Sequence, residues 1–317
     1  TIRRQRQMCI RDRYSPRLTD NEVKTMFYRV EETRVLDAFR SWVVGATFSV
    51  AWLVSGLVSA APGPESKSIK FWDDYEERSL INVNHDPWQA ILNKYLDDNH
   101  PSGINRFDYA AVTEVDLQRL TDYLDYLQLL EPRQLNRSEQ LAYWINLYNA
   151  KTVEIVARSY RNGDEVTSIR QIRSGVFTPG PWERESVKIA QQDLSLDNIE
   201  HGILRPHWQD HRLHFVLNCA SLGCPNLLKT AFNGDNNEAL LNGAEQAFMQ
   251  HPRAARIEDG QLVLSSLFDW YGRDFADDEA SMLAYLRKHV RPEVASAIGT
   301  ADGPVFEYDW ELNKPDS

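Results

Sequence analysis

The chain has 317 residues, of which 42% are hydrophobic and 26% are charged, with only 15 Gly and 14 Pro. This composition is typical of a folded globular protein and excludes collagen-like and low-complexity classes. The net charge is −11, but residues 1–61 hold 10 Lys and Arg against 6 Asp and Glu. The rest of the chain therefore has 25 basic and 40 acidic residues, or −15, which disfavours nucleic acid and anionic membranes as partners.

An uncharged segment, residues 42–58, lies between the charged Asp37–Arg40 and the small residues Val58–Ala60. This order is typical of a secretory signal peptide, so we expect residues 35–60 to be one, with cleavage after Ala60. The protein would then be periplasmic or secreted, with no membrane contact beyond the signal segment. A retained anchor is the alternative, although a spanning helix needs about 20 apolar residues.

The residues before this segment do not fit a signal peptide, which begins near the start of a chain. Met8–Asp12 is also what a transposon end used in preparing sequencing libraries encodes. We interpret residues 1–34 as an artefactual or non-native leader, with a genuine Arg-rich leader as the alternative. Residues 61–85 then form a lead-in, and residues 86–317 form a single globular domain.

Helical patterns dominate the first half of this domain. The first helix begins at Asp86-Pro87, where apolar residues recur at helical spacing. A second is predicted from Thr113 to Leu130 and a third from Ser138 to about Tyr160.

Short strands alternate with helices in the second half. The predicted elements are a strand at 186–190, a helix at 195–205 ended by Pro206, strands at 212–217 and 261–264, a helix at 281–290 and a strand at 305–312. The whole pattern predicts a single α+β domain with a helix-rich first half and a small, mainly antiparallel sheet.

The third predicted helix contains Leu141–Ala150, which is apolar nearly all round and should therefore be buried. Asn146 and Asn149 share one of its faces with small residues. A buried amide must find hydrogen-bond partners, so these asparagines either hold a neighbouring loop or position a substrate.

The helix predicted at 195–205 carries Glu200 on its apolar face, with His201 beside it. A carboxylate on a buried face is costly unless it is paired or protonated. Glu200 is therefore either half of an internal ion pair or a tuned acid or base.

Two cysteines remain once Cys9 is assigned to the leader, and both lie in one segment, His214–Pro225. A strand would end at Asn218 and place Cys219 at the start of a tight turn. Three interpretations stay open: a Cys219–Cys224 disulfide, as expected after export; a nucleophilic Cys219 with His201 or His214 as base; and a zinc site, for which the spacing is weak.

The C-terminal segment, residues 305–312, alternates aromatic and acidic residues as a half-buried strand does. Residues 265–271 likewise bring aromatics to the end of a strand. Asp269 and Asp309 are outside candidates for a carboxylate that orients a histidine.

Five segments together resemble the domain-of-unknown-function 547 family, which is common in exported bacterial proteins: Asn105–Tyr109, Leu141–Ala150, Leu194–Pro206, His214–Leu227 and Tyr308–Asn313. The plant relatives carry a leucine zipper that this chain lacks. The resemblance places the family's motif residues at Asn146, Asn149, Glu200, His201, Asn218, Cys219, Cys224 and Pro225. A Glu-His pair followed by a cysteine is similar to a rearranged papain- or transglutaminase-like core, although His201 precedes Cys219 here.

The leading hypothesis is a cysteine-dependent hydrolase or acyltransferase acting on an amide, peptide or thioester bond. Cys219 would attack, His201 would accept its proton and Glu200 would orient the imidazole. Asn218 or nearby backbone N–H groups would bind the oxyanion, and Asn146, Asn149 and His214 would position a peptide or small amide- or thiol-containing substrate. The alternative is a non-catalytic binding module held by a Cys219–Cys224 disulfide. Neither requires a cofactor or a metal.

Overall fold

The structure is a computed structural model, and it describes residues 63–163, 166–172 and 180–316. The expected leader at 1–34, the expected signal peptide at 35–60 and the first residues of the lead-in lie outside these ranges. Among the described residues, no helix has the length and apolar character needed to cross a membrane.

The three helices expected in the first half are confirmed as α1 (Asp86–Tyr95), α2 (Glu114–Leu129) and α3 (Arg137–Arg161). Each begins where the sequence supplies a start signal. Proline occupies the first turn of α1, and the side chains of Thr113 and Asn136 accept hydrogen bonds from the backbone of the first turns of α2 and α3.

Helix α3 lies in the middle of the domain, as its nearly uniform apolar character predicts. From Glu139 to Ala157, every residue except Lys151 is buried. Trp144 packs edge-to-face against Trp72 of the lead-in, with ring centroids 5.1 Å apart. The core is one continuous cluster of apolar side chains around this helix.

Short elements make up the second half, which confirms the α+β class. They are β3 (Val187–Ile189), β4 (Gln192–Leu194), a π-helix (Asn198–Leu204), α4 (Arg205–Trp208), a 3-10 helix (His211–Phe215), α5 (Asn237–Met249), β5 (Ala255–Glu258), β6 (Gln261–Ser265), α6 (Leu267–Trp270), α7 (Gly272–Phe275), α8 (Glu279–His289), α9 (Pro292–Ala297) and β7 (Asp302–Glu307). β1 (Leu96–Asp97) and β2 (Arg106–Phe107) precede them.

The described strands form three small sheets rather than one. β1 pairs with β2, and β3 pairs with β4, both antiparallel. β6 lies between β5, which is antiparallel to it, and β7, which is parallel. The mainly antiparallel character is therefore confirmed, with one parallel pair.

Two local predictions are wrong. The strand expected at 212–217 is instead the 3-10 helix His211–Phe215, so Asn218 and Cys219 follow a helix rather than a strand. Pro206 does not end the preceding helix, because it lies in the first turn of α4, where proline needs no N–H partner.

The π-helix exposes two backbone carbonyls that the lead-in satisfies. The N–H of Arg205 bonds to the carbonyl of Glu200, five residues earlier. The same spacing would give His201 the N–H of residue 206, but this residue is proline and has none. Instead Lys67 donates to the carbonyl of His201 at 3.0 Å, and Ile69 donates to that of Gly202 at 2.9 Å.

Candidate functional site

A cavity of about 590 Å³ opens beside the π-helix and gathers half of the predicted site residues. Glu200, His201, His214 and Cys219 all line it. Aromatic rings from four parts of the chain form much of the remaining wall: Tyr148, Trp182, Trp270, Tyr271 and Trp310.

Glu200 is the buried carboxylate of this cavity. The hydroxyl of Tyr148 donates to its Oε2 at 3.0 Å. Its Oε1 lies 3.8 Å from the Nδ1 atoms of both His201 and His214. Burial raises the pKa of Glu200. Of the two alternatives for this carboxyl, an ion-pair partner or a tuned acid or base, the shift favours the second.

His214 forms a closely hydrogen-bonded pair with Asp274 of α7. Its Nε2 lies 2.7 Å from Asp274 Oδ2, and its ring stacks on Tyr271 with centroids 4.2 Å apart. Burial opposes charge on Asp274, but hydrogen bonds from His214 and Arg205 lower its pKa overall, so it is an ionised acceptor. His214 therefore carries its proton on Nε2, and its Nδ1 is left as a hydrogen-bond acceptor facing Glu200.

Burial lowers the pKa of His214, so the imidazole is neutral near pH 7. A neutral ring with one nitrogen fixed by a carboxylate and the other free is the arrangement that a general base requires. The sequence predicts His214 either as a base or as a substrate-positioning residue.

His201 has the same tautomer, but its other nitrogen is the one that a neighbour engages. Its Nδ1 lies 3.1 Å from Nη1 of Arg205, which can only donate, so Nδ1 accepts and Nε2 carries the proton. Asp197 Oδ1 lies 3.8 Å from Nε2, beyond hydrogen-bond distance. Burial and the Arg205 charge lower the pKa of His201 to about 4. His201 is therefore a neutral donor on the cavity wall rather than a free base.

Cys219 and Cys224 are both thiols in the structure, which does not contain the expected disulfide. Their Sγ atoms are 2.8 Å apart, and Cys219 Sγ also lies 3.3 Å from the hydroxyl of Tyr308. The hydrogen-bond partners of Cys219 Sγ among the described residues are therefore a thiol and a phenol, and none of them is an imidazole. Cys219 lines the cavity, whereas Cys224 is buried behind it.

The turn at Cys219 uses its N–H groups internally. The N–H of Cys219 donates to Cys224 Sγ at 2.9 Å, and the N–H of Ala220 donates to the side-chain oxygen of Asn218 at 3.1 Å. Asn218 is itself buried and does not line the cavity. Neither Asn218 nor these two N–H groups is placed as the predicted oxyanion site requires.

Asn146 and Asn149 bind backbone rather than the cavity. Asn146 exchanges two hydrogen bonds with Phe232, at 2.8 and 3.1 Å. Asn149 donates to the carbonyl of Val216 at 2.9 Å and accepts from the N–H of Asn218 at 2.8 Å. Asn149 therefore fixes the segment that leads into Cys219, and of the two alternatives the structure favours the one in which these asparagines hold loops.

Asp274 is the site residue that the sequence interpretation missed, since it chose Asp269 and Asp309 instead. Asp309 accepts a hydrogen bond from the N–H of Glu311 within its own turn. Asp274 also binds Arg205, with Nε to Oδ2 at 2.6 Å. The sequence gives one weak signal for this residue, since Asp274 closely follows the aromatic pair Trp270-Tyr271. Only the folded chain shows that Asp274 lies beside His214.

The zinc alternative gains no support from the part of the chain that the structure describes. No group of three or more His, Cys, Asp or Glu side chains there could hold a metal ion.

The fold and the site define an α+β domain with a thiol and two neutral histidines on one aromatic cavity. Residues 132–249 match the family described as "Protein of unknown function, DUF547". The match over this segment confirms the resemblance drawn from its motifs. No curated protein and no solved structure matches the chain.

Proposed function

We propose that this protein is a cysteine-dependent hydrolase or acyltransferase acting on an amide, peptide or thioester bond in the cavity. The observation that carries the proposal is the Asp274–His214 pair, joined at 2.7 Å, on the wall that Cys219 also lines. A nucleophile, a neutral base and a carboxylate that orients this base are the parts that acyl transfer to a side chain needs.

In the proposed reaction the sulfur of Cys219 attacks the substrate carbonyl carbon, and its proton passes to Nδ1 of His214. Asp274 holds Nε2–H throughout and stabilises the imidazolium that forms. The proton then goes to the leaving amine or thiol as its bond to the acyl carbon breaks. Water or another acceptor attacks the resulting thioester and restores the thiol.

The oxyanion in this scheme is bound by Nε2–H of His201. Arg205 fixes the tautomer by donating to Nδ1, so the proton on Nε2 is available to the cavity. A neutral imidazole that donates to a developing oxyanion needs a low pKa, which burial and Arg205 provide. In this scheme His214 is the base in place of His201, and His201 takes the oxyanion-binding role that was expected for Asn218 or backbone N–H groups.

Two features of the cavity bear on the substrate. The rings of Trp182, Trp270 and Trp310 offer apolar faces, with the Trp270 and Trp310 centroids 5.7 Å apart. Asp197 and Glu200 add polar carboxyl groups to the same lining. Burial raises the pKa of Asp197 to about 6. A peptide or small amide with one apolar and one hydrogen-bonding end fits such a lining.

The test compares wild type with Cys219→Ala on peptide, γ-glutamyl and thioester substrates. The expected result is turnover by wild type and a loss of about 10³-fold or more in Cys219→Ala, because the nucleophile is gone. Cys224→Ala is the matched control, which removes the neighbouring thiol. Equal turnover by wild type and Cys219→Ala on every substrate that reacts would reject the proposal.

The binding module remains the second candidate, and the observation in its favour is that, among the described residues, no imidazole is hydrogen-bonded to Cys219 Sγ. It predicts that Cys219→Ala retains ligand affinity while no substrate is turned over by either protein. Export to the periplasm or medium is part of both proposals. N-terminal sequencing of exported protein should find a chain that begins near Ala61, and an intact 42–58 segment would contradict cleavage.

A further inference from the structure

Cys219 and Cys224 differ in access although their sulfur atoms are 2.8 Å apart. Cys219 is half-buried and lines the cavity, where a ligand can reach it. Cys224 is 1% exposed, and its Sγ lies 3.4 Å from the carbonyl oxygen of Leu217. A substrate in the cavity can therefore react with the first sulfur and not with the second.

The turn between the two cysteines is held by the segment that follows β7. The N–H groups of Leu222 and Gly223 donate to the carbonyls of Glu311 and Asp309 at 2.8 and 2.9 Å. A Cβ on Gly223 would lie 2.7 Å from the backbone nitrogen of Asp309, so only glycine allows this approach. Ala220 takes a left-handed φ of 57° at the start of the turn. These contacts keep the two sulfur atoms together without a covalent bond.

The pKa values of the two thiols are shifted in opposite directions. The hydrogen bond between the two sulfur atoms, with burial, raises the pKa of Cys219, so we assign Cys219 as the donor of this pair. Burial opposes charge on Cys224, but hydrogen bonds from the Cys219 thiol, the Cys219 N–H and Tyr308 together lower its pKa. The buried sulfur therefore carries the negative charge first, next to the sulfur that a substrate reaches.

We propose that this pair performs thiol–disulfide exchange with a disulfide-bonded peptide or small disulfide that enters the cavity. Cys219 would be the attacking sulfur and Cys224 the resolving sulfur. The activity goes beyond acyl transfer, since it needs neither His214 nor Asp274. It explains why a second sulfur is kept 2.8 Å from the first, which a simple acyl-transfer site does not require.

The exchange balances in two steps. Cys219 Sγ attacks one sulfur of the substrate, its proton passes to the Cys224 thiolate, and the substrate S–S bond breaks to release a thiolate. Cys224 then returns that proton to the second substrate sulfur as it attacks Cys219 Sγ and breaks the mixed disulfide. The substrate gains two electrons and leaves as one thiolate and one thiol, while the cysteine pair becomes a disulfide.

The test uses the full chain in a Cys9→Ser background with glutathione disulfide as the probe and intact-mass spectrometry as the readout. Wild-type residues at 219 and 224 should lose two hydrogens without a retained glutathionyl group. Cys224→Ser should retain one glutathionyl group, mapped to Cys219. Cys219→Ser should react at least tenfold more slowly, because Cys224 is buried. No acyl substrate is used, so the result is independent of the hydrolase proposal.

Two results would overturn the proposal. One is that both thiols stay reduced in the Cys9→Ser protein under excess glutathione disulfide, which needs no further variant. The other is that Cys219→Ser gains a glutathionyl group on Cys224 as fast as Cys224→Ser gains one on Cys219. Circular dichroism of each variant confirms that the compared proteins are folded.

Discussion

Each histidine on the cavity wall has one nitrogen fixed by a neighbour, and the two neighbours differ in charge. Asp274 accepts from Nε2 of His214, whereas Arg205 donates to Nδ1 of His201. Both partners select the Nε2–H tautomer, but they engage different nitrogens. The nitrogen left over is therefore an acceptor, Nδ1, at His214 and a donor, Nε2–H, at His201. Asp274 and Arg205 also bind each other, so the contacts that fix the two histidine tautomers are linked.

Asp274→Asn tests whether Asp274 fixes the tautomer of His214. An asparagine can present its NH₂ to Nε2 and so place the His214 proton on the wrong nitrogen. We expect turnover to fall about 10²- to 10⁴-fold on any substrate that wild type cleaves. The measurement is kcat and KM across pH, with a drop in kcat rather than a rise in KM.

Asp269→Asn is the matched control, since Asp269 lies in the preceding short helix and does not line the cavity. It should retain wild-type turnover. Similar losses in both variants would mean that the effect is structural and not specific to His214.

His85 offers a test of buried charge away from the cavity. Its Nδ1 lies 2.6 Å from the hydroxyl of Tyr123, and burial lowers its pKa to about 4. This value is below that of the unfolded chain, so only the unfolded state takes up the proton between about pH 6.5 and 4. Stability is therefore lost as pH falls through this window, by roughly 3 kcal/mol at most from His85.

Urea unfolding of wild type and His85→Gln from pH 7 to pH 4 measures this contribution. The free energy of unfolding of His85→Gln should depend less steeply on pH, by up to one proton. The buried His201 and His214 should keep a residual slope in both proteins. Parallel curves for the two proteins would show that His85 does not titrate as its burial requires.

At the scale of elements, the π-helix and the lead-in depend on each other. A Cβ added at Gly202 would lie 2.5 Å from Cδ1 and 2.8 Å from Cγ1 of Ile69. Gly202→Ala should therefore displace Ile69 from the π-helix carbonyl that it binds and lower the free energy of unfolding by about 1–2 kcal/mol.

Gly243→Ala is the control for Gly202→Ala. Gly243 lies inside α5, is exposed, and has no atom within 4 Å of an added Cβ. Alanine favours a helix interior over glycine, so this variant should gain about 0.5–1 kcal/mol. Urea unfolding distinguishes the two signs, and a stabilised Gly202→Ala would contradict the role given to the lead-in.

The elements that the sequence predicts correctly are those with local signals. Helices α1 and α2 begin at Asp86 and after Thr113, where a proline or a cap precedes apolar residues at helical spacing. β6 likewise follows its apolar run. The strand expected at 212–217 is wrong, because its apolar residues are buried from several sides. Burial of this kind does not require the two-residue alternation of a strand.

The π-helix could not be predicted for a different reason. Its register depends on Lys67 and Ile69, more than 130 residues earlier in the chain. Lys67 binds the His201 carbonyl, which Pro206 leaves without a donor, and Ile69 binds the carbonyl of Gly202. The sequence interpretation assumed α-helical spacing around Glu200 and His201. It placed Glu200 correctly on a buried face, whereas the contact with Arg205 favours a donor role for His201 over the predicted base.

At the scale of the whole molecule, the cavity joins segments from both ends of the domain. Glu200, His214 and Cys219 lie within the family match at 132–249, whereas Tyr271, Asp274 and Trp310 lie beyond it. The acidic and aromatic C-terminal segment was predicted as strand, but only Asp302–Glu307 is one. Tyr308 turns from that strand to contact Cys219 and Ser221.

The most direct test of the central claim, a nucleophilic Cys219, is to map acylation by an activated ester such as p-nitrophenyl acetate. The ester needs no protonation of its leaving group, so a natural substrate is not required. Mass spectrometry should find one acetyl group on Cys219, removable by hydroxylamine and absent from Cys219→Ser. An acetyl group found only at other residues, or equal labelling of Cys219→Ser, would contradict the account.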